Sequence, residues 1–275
     1  MKVLIVGLGV IGGSYAMGLK EKHEVYGIDK NIDTINKAKD QGYIIDGGDD
    51  PAKFLPFIDL VILAIYPKMI IDFIKENRFK DGTIITDVAG VKESFIYKIN
   101  EILPENVEFI GTHPMAGREK RGFDFADPNV FKGANFLITP IDNKEETIEL
   151  IKDLAVSLGF KRITIMTPKY HDEVIAFTSQ LTHAIAVSLV NSDNDPNTKF
   201  FTGDSYRDLT RIAQINENLW SELFLENKNN LLDKINQFEQ SLEKLKKAII
   251  DEDKDELCNL FIKSTIKRGE FNEKN

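Results

Sequence analysis

The sequence predicts an α/β amino-terminal domain built on a parallel sheet, followed by an all-α carboxy-terminal domain. Three observations carry this expectation. Short β-rich runs alternate with helical patterns through residue 166, the order that produces parallel sheets with right-handed crossovers. Runs such as Leu60-Val61-Ile62-Leu63-Ala64 are apolar throughout, as expected of strands covered on both faces. Beyond Thr167-Pro168 every periodic segment is helical.

Taken in order, candidate strands fall at 2–6, 24–29, 60–64, 83–87, 108–113, 135–140 and 162–166. Between them lie candidate helices at 12–21, 32–41, 68–77, 92–103 and 145–158. Downstream, one long helix is expected at 171–190, then a polar loop at 191–197 containing Pro196. Further helices are expected at 205–214, 219–227, 231–249 and 254–267. The division therefore falls at 1–166 and 167–275, with no internal repeat and a disordered end at 272–275.

A chain of 275 residues suits two domains, and 42% hydrophobic with 29% charged residues is the balance of a globular protein. Thirty-five basic against 44 acidic residues give a net charge of −9, which argues against nucleic acid as partner, since phosphate neutralisation needs basic surface. A small anionic substrate needs only one or two placed cations and stays open. No run reads as the roughly 20 apolar residues of a membrane span, and the apolar start at Met1 breaks at Gly7 without a cleavage site. The single cysteine, Cys258, excludes an intrachain disulfide and a multi-cysteine zinc site; its helical setting predicts a buried small apolar residue. No metal is expected, and a cytoplasmic location fits.

Gly7-Leu8-Gly9-Val10-Ile11-Gly12 follows an apolar strand and opens a helical pattern. In that context the glycines read as a Rossmann-type phosphate cradle: Gly7 for the tight turn, Gly9 for close backbone approach, Gly12 for helix–strand packing. The helix amino terminus presents N–H groups to a pyrophosphate. Asp29 closes the next strand, where an acid bonds ribose hydroxyls and repels a 2′-phosphate, so NAD is favoured over NADP, with Lys30 softening that exclusion.

Three further segments bear on chemistry. His113 ends the strand at 108–113 within Gly111-Thr112-His113-Pro114-Met115-Ala116-Gly117, so it points into the crevice where such sheets bind ligands. An imidazole there can accept a proton from a substrate hydroxyl; the bland alternative is a histidine that caps a loop. Asp172, Ala176, Ser179 and His183 share one face of the long helix, which reads as cleft-lining or merely hydrated, while Val174, Phe177, Leu181 and Ile185 form a separate apolar stripe. His171 and His23 read as peripheral. In Ser205-Tyr206-Arg207-Asp208-Leu209-Thr210-Arg211, Ser205 and Asp208 have the form of a capping box. Asp208 lies three residues before Arg211, close enough to orient a guanidinium for bidentate carboxylate capture; a surface ion-pair helix is the other reading. Finally, Leu231, Ile235, Phe238, Leu242, Leu245 and Ile249 make a short heptad-like seam, either a packing helix or, as favoured, part of a homodimer interface.

With these residues placed, the chain resembles the prephenate/arogenate dehydrogenase family. The matching segments, in order, are Gly7–Gly13 with Ser14, Gly111–Gly117, Ser179-Gln180-Leu181-Thr182-His183, and Arg207-Asp208-Leu209-Thr210-Arg211-Ile212-Ala213. The resemblance spans essentially the whole chain. It implies oxidative decarboxylation of prephenate to 4-hydroxyphenylpyruvate with NAD, in tyrosine biosynthesis. His113 would accept the hydrogen bond of the ring hydroxyl, Arg211 would bind a substrate carboxylate with Asp208 orienting it, and Ser179, His183, Gly90 and Trp220 would line the pocket.

Three positions depart from the family pattern. Gly90 stands where a serine is common, Thr182 replaces a proline before His183, and Arg118 stands where a smaller polar residue is frequent, beside Glu119. They leave prephenate versus arogenate preference open. The nearest rival enzyme is another β-hydroxyacid or imine dehydrogenase of similar plan, which would rely on a helix lysine. A non-catalytic nucleotide-sensing module would keep the glycine loop and Asp29 without needing His113, His183 and Arg211 together.

Overall fold

The computed structural model describes residues 1–117 and 120–271. Arg118 and Glu119, read as an added cation or a local pair, and residues 272–275, read as a disordered end, lie outside the described residues. The chain forms two compact units, Met1–Asn227 and Lys228–Asn275.

In the first unit the strands and helices expected before residue 167 are present, with ends displaced by at most two residues. They are β1 (Lys2–Val6), α1 (Val10–Leu19), β2 (Glu24–Ile28), α2 (Ile32–Asp40), β4 (Leu60–Leu63), α3 (Pro67–Glu76), β5 (Ile84–Asp87), α4 (Glu93–Ile102), β6 (Glu108–Pro114), β7 (Asn135–Thr139), α5 (Glu145–Leu158) and β8 (Arg162–Ile165). An additional strand, β3 (Asp46–Gly48), pairs with β2 at the sheet edge. Its Asp-Gly-Gly sequence carries no β-branched or aromatic residue. The packing explains the glycine, since a Cβ on Gly47 would lie 2.5 Å from the Gly27 carbonyl oxygen.

The sheet runs β3-β2-β1-β4-β5-β6-β7-β8. It is parallel except at β6–β7, which pair antiparallel from Gly111↔Thr139 to Pro114↔Phe136. The expected parallel sheet is thus present, with this one antiparallel pairing added. A parallel return needs a crossover, usually a helix. Between β6 and β7 the described residues form only short 3₁₀ turns, Phe123–Phe125 and Pro128–Phe131. The order reverses between β1 and β4, which opens a crevice at their carboxyl ends. Both faces are covered: Val3 and Ile5 of β1 enter one apolar cluster, and Leu4 and Val6 enter the other.

The sheet ends near the expected division, but the compact unit does not. Thr167 caps α6 (Pro168–Ile175) by accepting from Tyr170 N–H, with Pro168 in the first turn. A π turn, Ala176–Gln180, joins α6 to α7 (Leu181–Asn191). α8 (Asp204–Thr210), a 3₁₀ turn Arg211–Ala213 and α9 (Glu217–Glu226) complete the unit. Leu223 of α9 belongs to a sheet-face cluster, and Leu219 and Trp220 pack against it. These contacts make the helices up to Asn227 part of the same body as the sheet.

Pro168–Asn191 reaches a mean hydropathy of 1.3, long and apolar enough to cross a membrane by length and composition. That revises the reading in which no run qualified. Two of its polar groups are nevertheless bonded within the unit. Gln180 Nε2 donates to the Leu223 carbonyl at 2.9 Å, and Asn227 Nδ2 donates to the Asp172 carbonyl at 2.9 Å. Phe177, expected in the apolar stripe, is 52% exposed, while Leu181 is buried. The π turn adds a residue to one turn and shifts the phase of the helix faces beyond it.

The second unit is a pair of helices, α10 (Lys228–Ile250) and α11 (Lys254–Glu270), packed on one another. Along the expected seam Leu231 is buried whereas Leu242 and Ile249 are exposed. Cys258 is exposed as well, contrary to the expectation of a buried position.

The deepest polar feature of the first unit is the Asp87–Lys92 pair, 2.7 Å apart with both side chains fully inaccessible. Burial pushes the carboxyl up and the ammonium down. Opposing that, Asp87 accepts the Ala89 and Thr112 N–H groups, and Lys92 donates to the Ala89 and Val91 carbonyls. We therefore describe the pair as ionised, since each charge has several hydrogen bonds. Replacing Lys92 by Met is expected to cost about 3–5 kcal/mol, because Asp87 is left charged and buried. Urea denaturation would measure this, and a loss under about 1 kcal/mol, the scale of an exposed pair, would contradict it.

Candidate active site

The glycine loop joins β1 to α1. Gly7 adopts φ +90°, a conformation other residues rarely take. A Cβ on Gly12 would fall 1.8 Å from the Gly7 carbonyl oxygen, so the helix can start this close to the strand only with glycine there. Gly9 differs: nothing lies within 4 Å of its added Cβ, and α1 begins at Gly9 without a side-chain cap. The first-turn N–H groups of Val10 and Ile11 thus face an open approach, the arrangement that receives an anion.

Asp29 stands at the end of β2 and does more than await a ribose. Its Oδ2 accepts the Leu8 N–H at 2.8 Å and its Oδ1 the Asn31 N–H at 2.9 Å. The same carboxylate that can take ribose hydroxyls therefore holds the glycine loop in place. Each oxygen keeps a second lone pair for a ligand.

His113 lies half-buried at the end of β6. Its register is set from beneath, where Thr112 N–H donates to Asp87 Oδ1 at 3.0 Å. Its Nδ1 is 2.9 Å from Nε2 of His171, and His171 Nδ1 is 2.6 Å from Oδ1 of Asp172. Asp172 also accepts the Lys92 and Glu93 N–H groups, at 2.9 and 2.8 Å, and so caps α4 from another helix. Burial, then the charge on Lys92, pushes His171 down to about 2. Burial, then His171, then Lys92, holds His113 well below the usual histidine range. Asp172 is pushed up to about 6 by burial, opposed by its N–H donors and Lys92. At neutral pH both rings are uncharged, and the two backbone N–H groups donated to Asp172 favour its carboxylate form.

His171, read as peripheral, is therefore central. Its position next to Asp172 on a helix start was the available signal, but its contact with His113 comes from a residue far away in sequence. The expected common face of Asp172, Ala176, Ser179 and His183 is divided by the π turn. Asp172 and Ala176 are buried, whereas Ser179 and His183 are partly accessible.

His183 Nδ1 lies 2.9 Å from the Ser179 carbonyl, an acceptor only, so that nitrogen carries a proton. Trp220 of α9 stacks on the His183 ring with centroids 3.6 Å apart and planes at 29°. Leu223, one turn along α9, comes within 3.5 Å of a Cβ placed on Gly90, and His113 Cε1 within 3.8 Å. Gly90, His113, His183 and Trp220 are thus linked through α9. Arg211 opens the 3₁₀ turn that packs on α7, so the helix expected at 205–214 ends at Thr210. The expected capping box is not formed: α8 begins after Gly203 without a side-chain cap. Asp204 instead pairs with Arg207 at 2.6 Å, and Arg207 also donates to the Thr202 carbonyl. Asp208 and Arg211 are both exposed. Among the described residues no group of three or more His, Cys, Asp or Glu could hold a metal.

Residues 15–164 match the family model described as prephenate dehydrogenase, nucleotide-binding domain, and residues 167–263 match the prephenate dehydrogenase dimerization domain. The prephenate dehydrogenase of Lactococcus lactis subsp. cremoris is 32% identical, covering 94% of this chain and 74% of that protein. The cyclohexadienyl dehydrogenase of Zymomonas mobilis is 30% identical over 95% of this chain and 93% of that protein. Among solved structures, the Aquifex aeolicus prephenate dehydrogenase in complex with hydroxyphenyl propionate and NAD+ superposes with a TM-score of 0.90 at 33% identity, covering 99% of this chain and 98% of that one. Synechocystis arogenate dehydrogenase gives 0.84 at 26% identity, covering 98% and 100%.

The two helix-start glycines make separable predictions. Gly12→Ala is expected to destabilise the fold strongly, because its Cβ meets backbone. Gly9→Ala should leave the melting temperature near wild type while weakening NAD binding about tenfold or more, its methyl filling the approach to the phosphates. Calorimetric titration with NAD beside thermal melts checks both, and unchanged NAD affinity in Gly9→Ala would contradict the cradle assignment.

Proposed function

The chain belongs to the prephenate dehydrogenase family, and from that premise we propose that it converts prephenate to 4-hydroxyphenylpyruvate and carbon dioxide in tyrosine biosynthesis, with NAD as electron acceptor. The observation that carries the mechanism is His113: an imidazole held below the usual histidine range at the end of β6, in the same sheet whose β1 leads into the glycine loop. NAD bound at Gly7, Leu8, Gly9, Val10, Ile11, Gly12 and Asp29 supplies the acceptor for the hydrogen on ring C4 and its electron pair.

The chain's own residues do the rest. His113 accepts the hydrogen bond of the C4 hydroxyl and stabilises the positive charge that grows as the C–H bond breaks. Assistance of this kind is worth roughly 10²–10⁴-fold. Cleavage of the ring carboxylate returns an electron pair to the ring, which becomes aromatic while the hydroxyl stays. Arg211, with Asp208 beside it on the same short segment, binds a substrate carboxylate. His183, fixed by the Ser179 carbonyl and by Trp220, lines the pocket, and Gly90 leaves room next to His113.

Functionally, residues 1–166 form the nucleotide-binding region and 167–275 the substrate and dimerisation region. Homodimerisation would cover apolar side chains that the second unit leaves exposed, among them Leu242, Ile249, Ile250, Phe261 and Ile266. An acidic chain with one cysteine suits the cytoplasm.

Incubation with NAD and prephenate should give NADH absorbance at 340 nm, faster than with arogenate. Preference for arogenate would reassign the substrate, and no NADH with either would contradict the dehydrogenase assignment. Arg211→Ala should raise KM for prephenate about 10–100-fold, the scale of a lost charged hydrogen bond, with kcat less affected. A KM within twofold of wild type would remove Arg211 from the site.

A further inference from the structure

A neutral imidazole has one N–H and one lone pair, so its use as an acceptor depends on which nitrogen holds the proton. In this chain that choice is made by contacts behind the reacting edge. Asp172, bonded by two backbone N–H groups, offers its carboxylate to His171 Nδ1 at 2.6 Å. A carboxylate only accepts, so His171 Nδ1 carries the proton. His171 is fully buried and neutral, and its Nε2 is then a lone pair. That lone pair faces His113 Nδ1 at 2.9 Å. Two lone pairs do not meet at this distance, so His113 Nδ1 carries a proton and donates. Nε2 of His113, on the opposite edge of the ring, is left as the acceptor.

We propose that His171 and Asp172 are positioning residues that lock His113 in the tautomer able to accept a hydrogen bond from the substrate hydroxyl. The inference rests on His113 having that role in the proposed reaction. A histidine side chain free in water favours the proton on Nε2, the tautomer that could not accept. The relay therefore turns the less favoured form into the resident one. Gly90 adds no hydroxyl beside His113, so the imidazole takes its orientation from His171 and the backbone of β6.

Two variants separate positioning from mere support. His171→Phe fills the same space but leaves His113 Nδ1–H without an acceptor, whereas His171→Gln restores an acceptor oxygen. With full-length protein and NAD, His171→Phe is expected to lower kcat for prephenate on the order of 10²-fold. Its KM should stay within about threefold, as for a loss expressed mainly in the transition state, and His171→Gln should recover most of kcat. Long-range ¹H–¹⁵N correlation on the wild-type protein supplies a readout that needs neither substrate nor a variant. His113 Nε2 should show the shift of an unprotonated ring nitrogen, and in a folded His171→Phe protein it should move toward the protonated one. A protonated Nε2 in wild type at neutral pH would overturn the proposal, as would wild-type kcat in His171→Phe. If wild type fails to oxidise prephenate, the functional reading falls while the tautomer measurement still decides this assignment.

Discussion

Burying the Asp172 carboxylate removes a charge from water, which costs several kcal/mol unless its lone pairs find donors. Here they find the N–H groups of Lys92 and Glu93 and the Nδ1 of His171. The first two are orphan amides at the start of α4, and a negative charge there also meets the favourable end of the helix dipole. One side chain thereby ties α6 to the loop that follows β5. That loop contains Gly90 and the lysine that neutralises Asp87, and Asp87 in turn holds Thr112, the residue before His113. Position, charge and protonation of His113 thus all trace back to the same buried polar cluster.

The cofactor crevice follows a parallel logic on the other side of the sheet switch point. Gly7 and Gly12 allow a helix to begin almost in contact with its strand, and the Asp29 carboxylate pins the intervening Leu8 amide. Both halves of the site depend on a carboxylate that accepts backbone N–H groups while keeping capacity for something else. For Asp29 the remaining lone pairs are left for a ligand; for Asp172 the remaining capacity faces His171. Such doubled use ties each site residue to neighbouring backbone, and groups held in place in this way favour catalysis by orientation.

Much of this was legible in the sequence because its signals are local. Glycine spacing after an apolar strand, an acid closing the next strand, and a histidine at a strand end each declare a site within a few residues. Local signals failed where tertiary packing decides. β3 is Asp-Gly-Gly and gains its strand character only from pairing with β2. The antiparallel turn of β7 depends on a connection without a crossover helix. Ser205 and Asp208 have capping-box spacing, yet the helix begins after Gly203, and Asp204 engages Arg207. His171 looked peripheral because its partner, His113, is on another element, and nothing in its neighbours' identities announces that meeting. The roles proposed for Ser179, His183, Asp208, Arg211 and Trp220 come from family membership, to which the structure adds the contacts of His183 with Ser179 and Trp220.

Amide hydrogen exchange at Lys92 and Glu93 tests the central role of Asp172 most directly. If its carboxylate holds these two N–H groups, they should exchange about as slowly as the amides of β5, and Asp172→Ala should release them selectively. Wild-type exchange as fast as that of an uncapped first helical turn would mean that Asp172 does not anchor this loop, and the account of how His113 is held would fail with it.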